Sequence, residues 1–340
     1  MAVFRLLKSL AVATAAVMVL GAALAAPAGA QTIELKLSHF IPPNHTYHKW
    51  AQMWAERLDK ESGGRLKVTI YPNGQLVGPP NRQFDAARNG VTDIAFALHG
   101  VTPGRYAATE LGNLPFTWPK AGSTPDITGP RLTELAPTYL AKEHQGLRIL
   151  YMAVANPVVF YSRVPVKTIG EFKGLKVRYA GVQNKYLIDA LGAVPLLIPP
   201  PESQDALAKG IADIAMFPHE AGVSYDLGSV VKNAIEPGVA TATFAMVMNP
   251  AKYDSLPADL KALIDKTTGM AGAVEFGKMW TDAEKAGRDK ELAAGMQMIT
   301  LPDADLAKMK EMMAPHVKTA IEAVDKDGKQ GTKFFEEYTK

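Results

Sequence analysis

One arginine at the end of a short predicted strand has the chemistry to hold an organic anion. Residues 175–179 read Leu-Lys-Val-Arg-Tyr, a β-prone run that stops at Gly181 and places Arg178 close to its carboxyl end. Ligands of open α/β sheets bind beyond the carboxyl ends of the strands. A guanidinium offers a charged, planar fork of donors that matches a carboxylate. The same pattern also fits a half-buried strand in which Arg178 is one of the polar alternates.

A cluster of histidines is the other group that invites a chemical interpretation. His39, His45 and His48 place three of the seven histidines within ten residues. A structural metal site would need a fourth ligand and a fixed geometry, whereas the intervening Pro42 and Pro43 predict a turning loop. We therefore favour loop or helix-cap roles over metal binding and predict neither a metal nor a cofactor. The sequence leaves open whether one of the three touches a ligand.

Motifs of covalent or phosphate chemistry are missing from the sequence. It contains no Gly-x-Ser-x-Gly, no Gly-rich phosphate loop, no Gly-x-Gly-x-x-Gly and no His-Glu-x-x-His; the pair His219-Glu220 lacks the second histidine. The sequence therefore predicts a binding protein and not an enzyme. A periplasmic hydrolase or isomerase acting on a small acid is the weaker alternative.

The first thirty residues have the pattern of a cleaved secretory signal. Arg5 and Lys8 precede an uncharged, alanine-rich run, and residues 28–30 read Ala-Gly-Ala, a small-x-small cleavage site. We expect residues 1–30 to be removed and the mature chain to begin at Gln31 in the periplasm. An uncleaved anchor is the less favoured interpretation, and no later apolar run is long enough to insert stably in a membrane. The absence of cysteine excludes disulfides, thiol catalysis and a lipid-modified N-terminal cysteine.

The charge balance argues against nucleic-acid binding. Loss of Arg5 and Lys8 with the signal lowers the formal net charge from +3 to +1, and no cluster of lysine and arginine remains. The mature chain of about 310 residues is too long for one typical core, so two lobes are expected.

A weak internal repeat supports two similar α/β lobes. Residues 64–71 resemble residues 174–179, and residues 90–96 resemble residues 210–216. In each half a strand is followed by a helix and then by a Gly-x-x-Asp-Ile-Ala strand. Such short sequence motifs are common, but their shared order in the two halves favours a duplicated arrangement of strands and helices.

These patterns predict the domain organisation. We expect residues 31–155 to form lobe I, completed by C-terminal segments, and residues 156–240 to form lobe II. Residues 241–340 should supply a crossing strand and helices that pack on both lobes. A helix predicted over 271–294 is much longer than the average helix of a globular protein, and it could lie across both lobes.

Several blocks of the sequence together resemble one family. The chain is similar to DctP-type solute-binding subunits of tripartite ATP-independent periplasmic (TRAP) transporters over residues 33–330. The blocks that carry the resemblance are 63–68, 71–72, 74–76, 90–94, 114–116, 165–166, 172–178 and 253–257. The resemblance implies a two-lobed periplasmic solute-binding fold, each lobe a mixed sheet flanked by helices, with a long helix bracing both. It also implies closure on a small organic acid anion and delivery to membrane permease subunits.

The same resemblance assigns the anchor of the ligand. The arginine of the family's Gly-Leu-Lys-[Ile/Val]-Arg motif holds a carboxylate, and here it is Arg178. Many members carry a second arginine about 21 positions earlier, where this chain has Pro157, and an Asn-Pro pair where this chain has Phe217-Pro218. We therefore favour a monocarboxylate, possibly aromatic, over a C4-dicarboxylate. The dicarboxylate and a stand-alone periplasmic binding or sensing protein remain alternatives.

Other ligand-contacting side chains are predicted from segments expected to reach the cleft. With Arg178, the predicted set is Phe40, His99, Asn156, Tyr179, Phe217 and His219. In the alternative interpretation, Phe217 packs in the lobe core, and the missing positive charge comes from a second residue. The candidates for that residue are His99, Arg105, Arg163 and His219.

Overall fold

The computed structural model describes residues 32–340, which form a mixed α/β fold built on two β-sheets. The strands of this part of the chain are β1 (Ile33–His39), β2 (Leu66–Tyr71), β3 (Ile94–Leu98), β4 (Arg148–Val154), β5 (Val158–Ser162), β6 (Lys176–Tyr179), β7 (Val194–Leu197), β8 (Ile214–Phe217), β9 (Asn233–Ala240), β10 (Thr243–Met248) and β11 (Gln297–Thr300). The predicted signal peptide, residues 1–30, lies outside the described residues and stays a prediction.

The helices lie between and after these strands. They are α1 (Thr46–Glu61), α2 (Gln83–Arg88), α3 (Pro125–Leu135), α4 (Val182–Ala190), α5 (Ser203–Ala208), α6 (His219–Ser224), α7 (Pro250–Asp254), α8 (Ala258–Thr267), α9 (Gly269–Ala293), α10 (Asp303–Lys326) and α11 (Gly331–Thr339).

Each sheet is built mainly from one stretch of the chain, although β11 joins the second sheet after the chain has returned to the first. The first sheet has the order β2-β1-β3-β10-β4 and the second has the order β11-β9-β5-β8-β6-β7. The chain passes from one to the other at residues 155–157 and returns at residues 241–242. The two crossing segments are hydrogen bonded: Ala155 N–H donates to the Ala242 carbonyl at 2.9 Å, and the Thr241 hydroxyl donates to the Ala155 carbonyl at 2.6 Å. The lobe boundary predicted between residues 155 and 156 falls in the first crossing.

The helix next to the first sheet shows how sequence periodicity builds the core. Along α1, Tyr47, Trp50, Trp54 and Leu58 recur at helical spacing, and each is buried. The Tyr47 ring stacks on Phe96 of β3, with ring centroids 3.6 Å apart. This face therefore fixes α1, and the loop that precedes it, against the sheet.

The long helix α9 joins both halves. It has 25 residues, or about 38 Å of helix, and it packs on α1, α3 and β4 of the first half and on α6 of the second. Near its start, Glu275 accepts a hydrogen bond from Trp50 Nε1 at 3.1 Å. Two turns later, the Glu284 carboxylate accepts the backbone N–H groups of His219 and Glu220, at 2.8 and 2.9 Å. The α/β fold and its bracing helix are as the sequence predicted.

Two elements contain proline. The helix α3 begins at Pro125, because proline is well tolerated in the first helical turn, and a π-helix follows it at 136–140. The strand β9 contains Pro237 and Gly238, which interrupt its apolar alternation.

Candidate functional site

A cavity lies between the two sheets, where loops after their strands meet. It has about 540 Å³ of free space, counting its opening to solvent. The first half contributes Phe40, Ile41, His45, Leu98 and Phe244, the two crossings contribute Ala155 and Ala242, β5 contributes Val158, and α9 contributes Trp280. The second half contributes Arg178, Ala180, Asn184, Pro200, Met216, Phe217, Pro218, Ala221 and Tyr225.

Arg178 is held rigidly in the wall of this cavity. On β6 it pairs with Leu196 of β7 and Ala215 of β8, so its backbone lies inside the second sheet. Its side chain is 1% exposed. Nε donates to the Ile198 carbonyl at 2.9 Å and Nη1 donates to the Met216 carbonyl at 3.0 Å. Two donors thus fix the guanidinium in place, while Nη2 has no partner among the described residues.

The charge of Arg178 is not balanced by an acidic side chain. Within residues 32–340, it makes hydrogen bonds to backbone carbonyls and no salt bridge. Burial lowers the pKa of its guanidinium to about 9, with a smaller opposing effect from Tyr225. It is therefore still a cation at neutral pH. A buried cation without a partner is unfavourable, and a ligand carboxylate at Nη2 would supply one.

Aromatic rings form much of the remaining wall. The guanidinium carbon of Arg178 lies 4.1 Å from the centroid of the Phe217 ring, a cation–π contact. The ring centroids of Phe217 and Tyr225 lie 5.4 Å apart, and those of Phe244 and Trp280 lie 5.5 Å apart. Burial raises the pKa of the Tyr225 phenol, despite the opposite effect of Arg178. The hydroxyl therefore stays protonated, and it has no hydrogen-bond partner among the described residues.

His45 lines the cavity but does not act as a second cation. Its Nδ1 accepts the N–H of Tyr47 at 3.1 Å, which caps α1, and its Nε2 lies 3.2 Å from the Glu220 carboxylate. Burial lowers the pKa of His45, and Glu220 only partly offsets this. The same carboxylate accepts Thr46 N–H at 2.9 Å, Thr46 Oγ1 at 2.8 Å and Trp280 Nε1 at 3.2 Å. Glu220 on α6 is thus bonded directly to α1 and α9.

The family model of bacterial extracellular solute-binding protein family 7 (DctP) matches residues 37–323. The chain belongs to this family. DctP proteins are the solute-binding subunits of TRAP transporters; they bind small organic acids and work with a membrane permease. The family and its solved members are substrate-binding transport proteins and not enzymes, which confirms the predicted class. In the part of the chain that the structure describes, no helix is long and apolar enough to cross a membrane.

Three relatives illustrate the range of the family. The C4-dicarboxylate-binding periplasmic protein DctP of Rhodobacter capsulatus is 25% identical over 316 residues, or 92% of each chain. A TRAP solute-binding protein of Rhodoferax ferrireducens, solved with copurified benzoate, is 30% identical. Its TM-score is 0.86, and the match covers 90% of this chain and 96% of that one. A Bordetella bronchiseptica protein with bound (R)- and (S)-mandelate is 29% identical, with a TM-score of 0.83 and coverage of 90% and 97%.

Three of the residues that the sequence predicted for the DctP site line the cavity: Phe40, Arg178 and Phe217. Tyr179 does not, although it follows Arg178 directly. Successive residues of a strand point to opposite faces of the sheet, and Tyr179 packs with Val177 in the apolar core on the other face.

His99 belongs to the core of the first half. Its Nδ1 lies 2.9 Å from the Thr243 carbonyl, and its Nε2 lies 2.9 Å from Nε2 of His144. Burial and the neighbouring His144 hold the pKa of His99 well below its usual range. The side chain is therefore neutral and engaged at both nitrogens, and it is not a lining residue of the cavity.

His219 and Asn156 also lie outside the cavity lining. Asn156 Nδ2 donates to the Trp280 carbonyl at 3.1 Å. His219 Nδ1 lies 2.7 Å from Glu291, and its Nε2 lies 3.0 Å from Glu236. Burial would lower the pKa of His219, but these two hydrogen bonds outweigh it and raise the pKa to about 9. Its charge is thus satisfied within the protein.

The remaining histidines of the predicted cluster are structural. His39 Nε2 and His48 Nδ1 lie 3.0 Å apart, and His39 Nδ1 accepts the Ile41 N–H at 3.2 Å. Among residues 32–340, no group of three or more acidic or histidine side chains is arranged to hold a metal.

Sequence reasoning missed several lining residues, notably Asn184, Tyr225, Phe244 and Trp280. Each lies within an ordinary helix, loop or strand, and no local motif distinguishes it. The resemblance to the family identified Arg178 because that residue belongs to a recognisable sequence motif. The other lining residues belong to no such motif.

Proposed function

We propose that this chain captures a small monocarboxylate with an aromatic or apolar body and presents it to its TRAP permease. The observation that carries the proposal is the free Nη2 of Arg178 in a cavity whose other walls are largely aromatic and aliphatic. Among the described lining residues, Arg178 is the one side chain that carries a charge at neutral pH, since His45 is held neutral.

A second carboxylate would find little to bind. The part of the wall that comes from the first half and α9 includes Phe40, Phe244 and Trp280, and a buried carboxylate without donors costs several kcal/mol. An aromatic ring on the ligand would instead strengthen binding, because burying apolar surface contributes about 25 cal/mol per Å² to the binding free energy. For the roughly 150 Å² that a phenyl group can bury, this is about 4 kcal/mol.

The relatives support this preference. The Rhodoferax protein was solved with benzoate and the Bordetella protein with mandelate, and both acids carry one carboxylate on an aromatic body. The Rhodobacter relative binds C4-dicarboxylates, but it is less similar in sequence. A C4-dicarboxylate is therefore the alternative against which the proposal is tested.

A competition series decides between the two ligand classes. Isothermal calorimetry should compare benzoate, phenylacetate and mandelate with succinate and malate. We expect the aromatic monocarboxylates to bind more tightly. If succinate or malate binds more tightly than every monocarboxylate, the proposal is wrong.

The role of Arg178 is tested in the same assay. Arg178→Ala should weaken binding by about 30-fold to several thousand-fold, equivalent to roughly 2–5 kcal/mol. Arg178→Lys should restore only part of this, because a point charge lacks the fork. Arg163→Ala, at an exposed arginine of the same half, is the matched control and should bind like wild type. Unchanged affinity in folded Arg178→Ala would remove this residue from the site.

We also propose that the protein works in the periplasm after cleavage before Gln31. The intact mass of the exported protein should correspond to residues 31–340. Retention of residues 1–30 on exported protein would contradict the proposed cleavage.

A further inference from the structure

Asn184 presents an unused hydrogen-bond acceptor in the wall of the cavity. It lies in the first turn of α4, is 2% exposed and lines the cavity. Its Oδ1 is buried and has no partner among the described residues. A buried acceptor without a donor destabilises a protein, so this atom calls for a partner from outside the chain.

The orientation of the amide is fixed by its nitrogen. Nδ2 donates to the Ala180 carbonyl at 2.8 Å and faces the Thr241 carbonyl at 3.4 Å. Carbonyl oxygens accept only, so the nitrogen and not the oxygen must face them. Rotating the amide by half a turn would set two oxygens against Oδ1. The acceptor therefore stays on the side away from these carbonyls.

A carboxylate alone cannot satisfy this wall. The free Nη2 of Arg178 donates, and the Tyr225 hydroxyl can donate, so both suit the oxygens of an anion. Oδ1 of Asn184 would repel those oxygens and requires a donor. An ammonium group is a poor donor here, because no carboxylate is among the described lining residues to balance its charge. A neutral hydroxyl fits.

We propose that the preferred ligand carries a hydroxyl group that donates to Asn184 Oδ1, so that it is a hydroxylated aromatic monocarboxylate. The inference rests on the proposed function, since it takes the carboxylate to lie at Arg178. The competing explanation is an ordered water. Asn113, whose amide also lacks partners, lies close to Asn184, since the Nδ2 atoms of both lie within 4 Å of the position that a Cβ on Gly181 would take. A water bonded to both amides would occupy the acceptor without the ligand.

Pairs of acids that differ by one hydroxyl test the inference on the wild-type protein. Benzoate is compared by calorimetry with its 2-, 3- and 4-hydroxy derivatives, and phenylacetate with both enantiomers of mandelate. At least one hydroxylated acid should bind about tenfold more tightly than its parent. If no hydroxylated acid gains over its parent, the water explanation holds and the inference is overturned.

The variant Asn184→Leu tests whether the affinity gained from a ligand hydroxyl comes from the Asn184 side chain. Asn184→Leu has nearly the same shape without the acceptor, and it should reduce the tenfold preference for the hydroxylated acid over its parent to within about threefold, whatever its effect on the affinity for the parent acid. Asn233→Leu, at an asparagine that also donates to a backbone carbonyl but lies outside the cavity, should keep the preference. A preference that survives in Asn184→Leu would overturn the assignment.

The two proposals fail separately. If benzoate binding depends on Arg178 but no hydroxyl adds affinity, only the hydroxyl subsite is wrong. If succinate or malate binds most tightly, the proposed function itself is wrong.

Discussion

Gly100 and Gly181 touch through their backbones, each two residues after the end of a strand, and the two strands belong to different sheets. The N–H of Gly181 donates to the carbonyl of Gly100 at 3.1 Å. A Cβ atom on Gly100 would lie 2.4 Å from Cα of Gly181, closer than real Cβ atoms come. Only glycine therefore allows the two halves to meet here, beside the cavity that contains Arg178.

The first prediction is that Gly100→Ala hinders closure. The added methyl group pushes against the backbone of the other half and not against its own, so the unliganded fold should keep its melting temperature. The affinity for ligand should fall about tenfold or more, because the binding-competent arrangement becomes less populated.

Small-angle scattering should then show a larger radius of gyration for ligand-saturated Gly100→Ala than for ligand-saturated wild type. Gly170→Ala is the control, since a Cβ there meets nothing closer than 3.9 Å. Wild-type affinity and compaction in Gly100→Ala would show that this contact is dispensable.

The second prediction concerns the bonds between Thr46 and Glu220. Thr46 lies at the start of α1 and Glu220 in α6, so these hydrogen bonds form only when the two halves are together. Thr46→Val removes the hydroxyl donor and should weaken ligand binding about tenfold, mainly through faster dissociation. Thr46→Ser keeps the hydroxyl and should bind like wild type. Stopped-flow dissociation rates check both; a lower melting temperature with unchanged dissociation would mean that the contact is permanent.

The third prediction separates His99 from the ligand site. Because His99 bonds to the Thr243 carbonyl and to His144, His99→Leu leaves buried groups unpaired. The free energy of unfolding in urea should fall by about 1–3 kcal/mol. The affinity of the folded variant for ligand should not change. A large loss of ligand affinity without a loss of stability would contradict this prediction and indicate that His99 contacts the ligand.

The fourth prediction is a pH dependence of stability through His219. Burial lowers the pKa of His219, but the hydrogen bonds to Glu236 and Glu291 raise it overall from 6.5 to about 9. A raised histidine pKa stabilises the fold fully below pH 6.5, and this stabilisation is lost as the pH rises through 9. The unfolding free energy of wild type should exceed that of His219→Gln by an amount that shrinks by on the order of 3 kcal/mol between pH 6 and pH 9.5.

Urea titrations of both proteins at pH 6, 7.5 and 9.5 provide the measurement. Burial also raises the pKa of Glu284 to about 7, while His219 opposes this rise and Glu284 in turn raises the pKa of His219. The two groups therefore titrate together, and the difference between the two proteins reports the pair. A difference that stays constant with pH would show that His219 is not charged in the folded protein.

Periodicity along the chain was enough to predict the fold in outline. The strand–helix alternation, the long helix α9 and the strand that carries Arg178 all depend on side chains a few residues apart, and such patterns are visible in the sequence. In β9, Pro237 and Gly238 interrupt the pattern, so periodicity alone does not reveal this strand. Local structure is encoded locally, so a local interruption hides it.

By itself the sequence determined the family, the α/β fold and the candidate anchor Arg178, because each can be recognised from short contiguous motifs and local periodicity. The tertiary structure decided what surrounds that anchor. It turned Tyr179 to the other face of the sheet, engaged His99 and His219 in the protein's own hydrogen bonds, and brought Asn184 and Trp280 to the cavity. These outcomes depend on which faces of distant strands and helices pack together across the two crossings and the long helix α9. The spacing of residues along the chain does not determine this long-range packing.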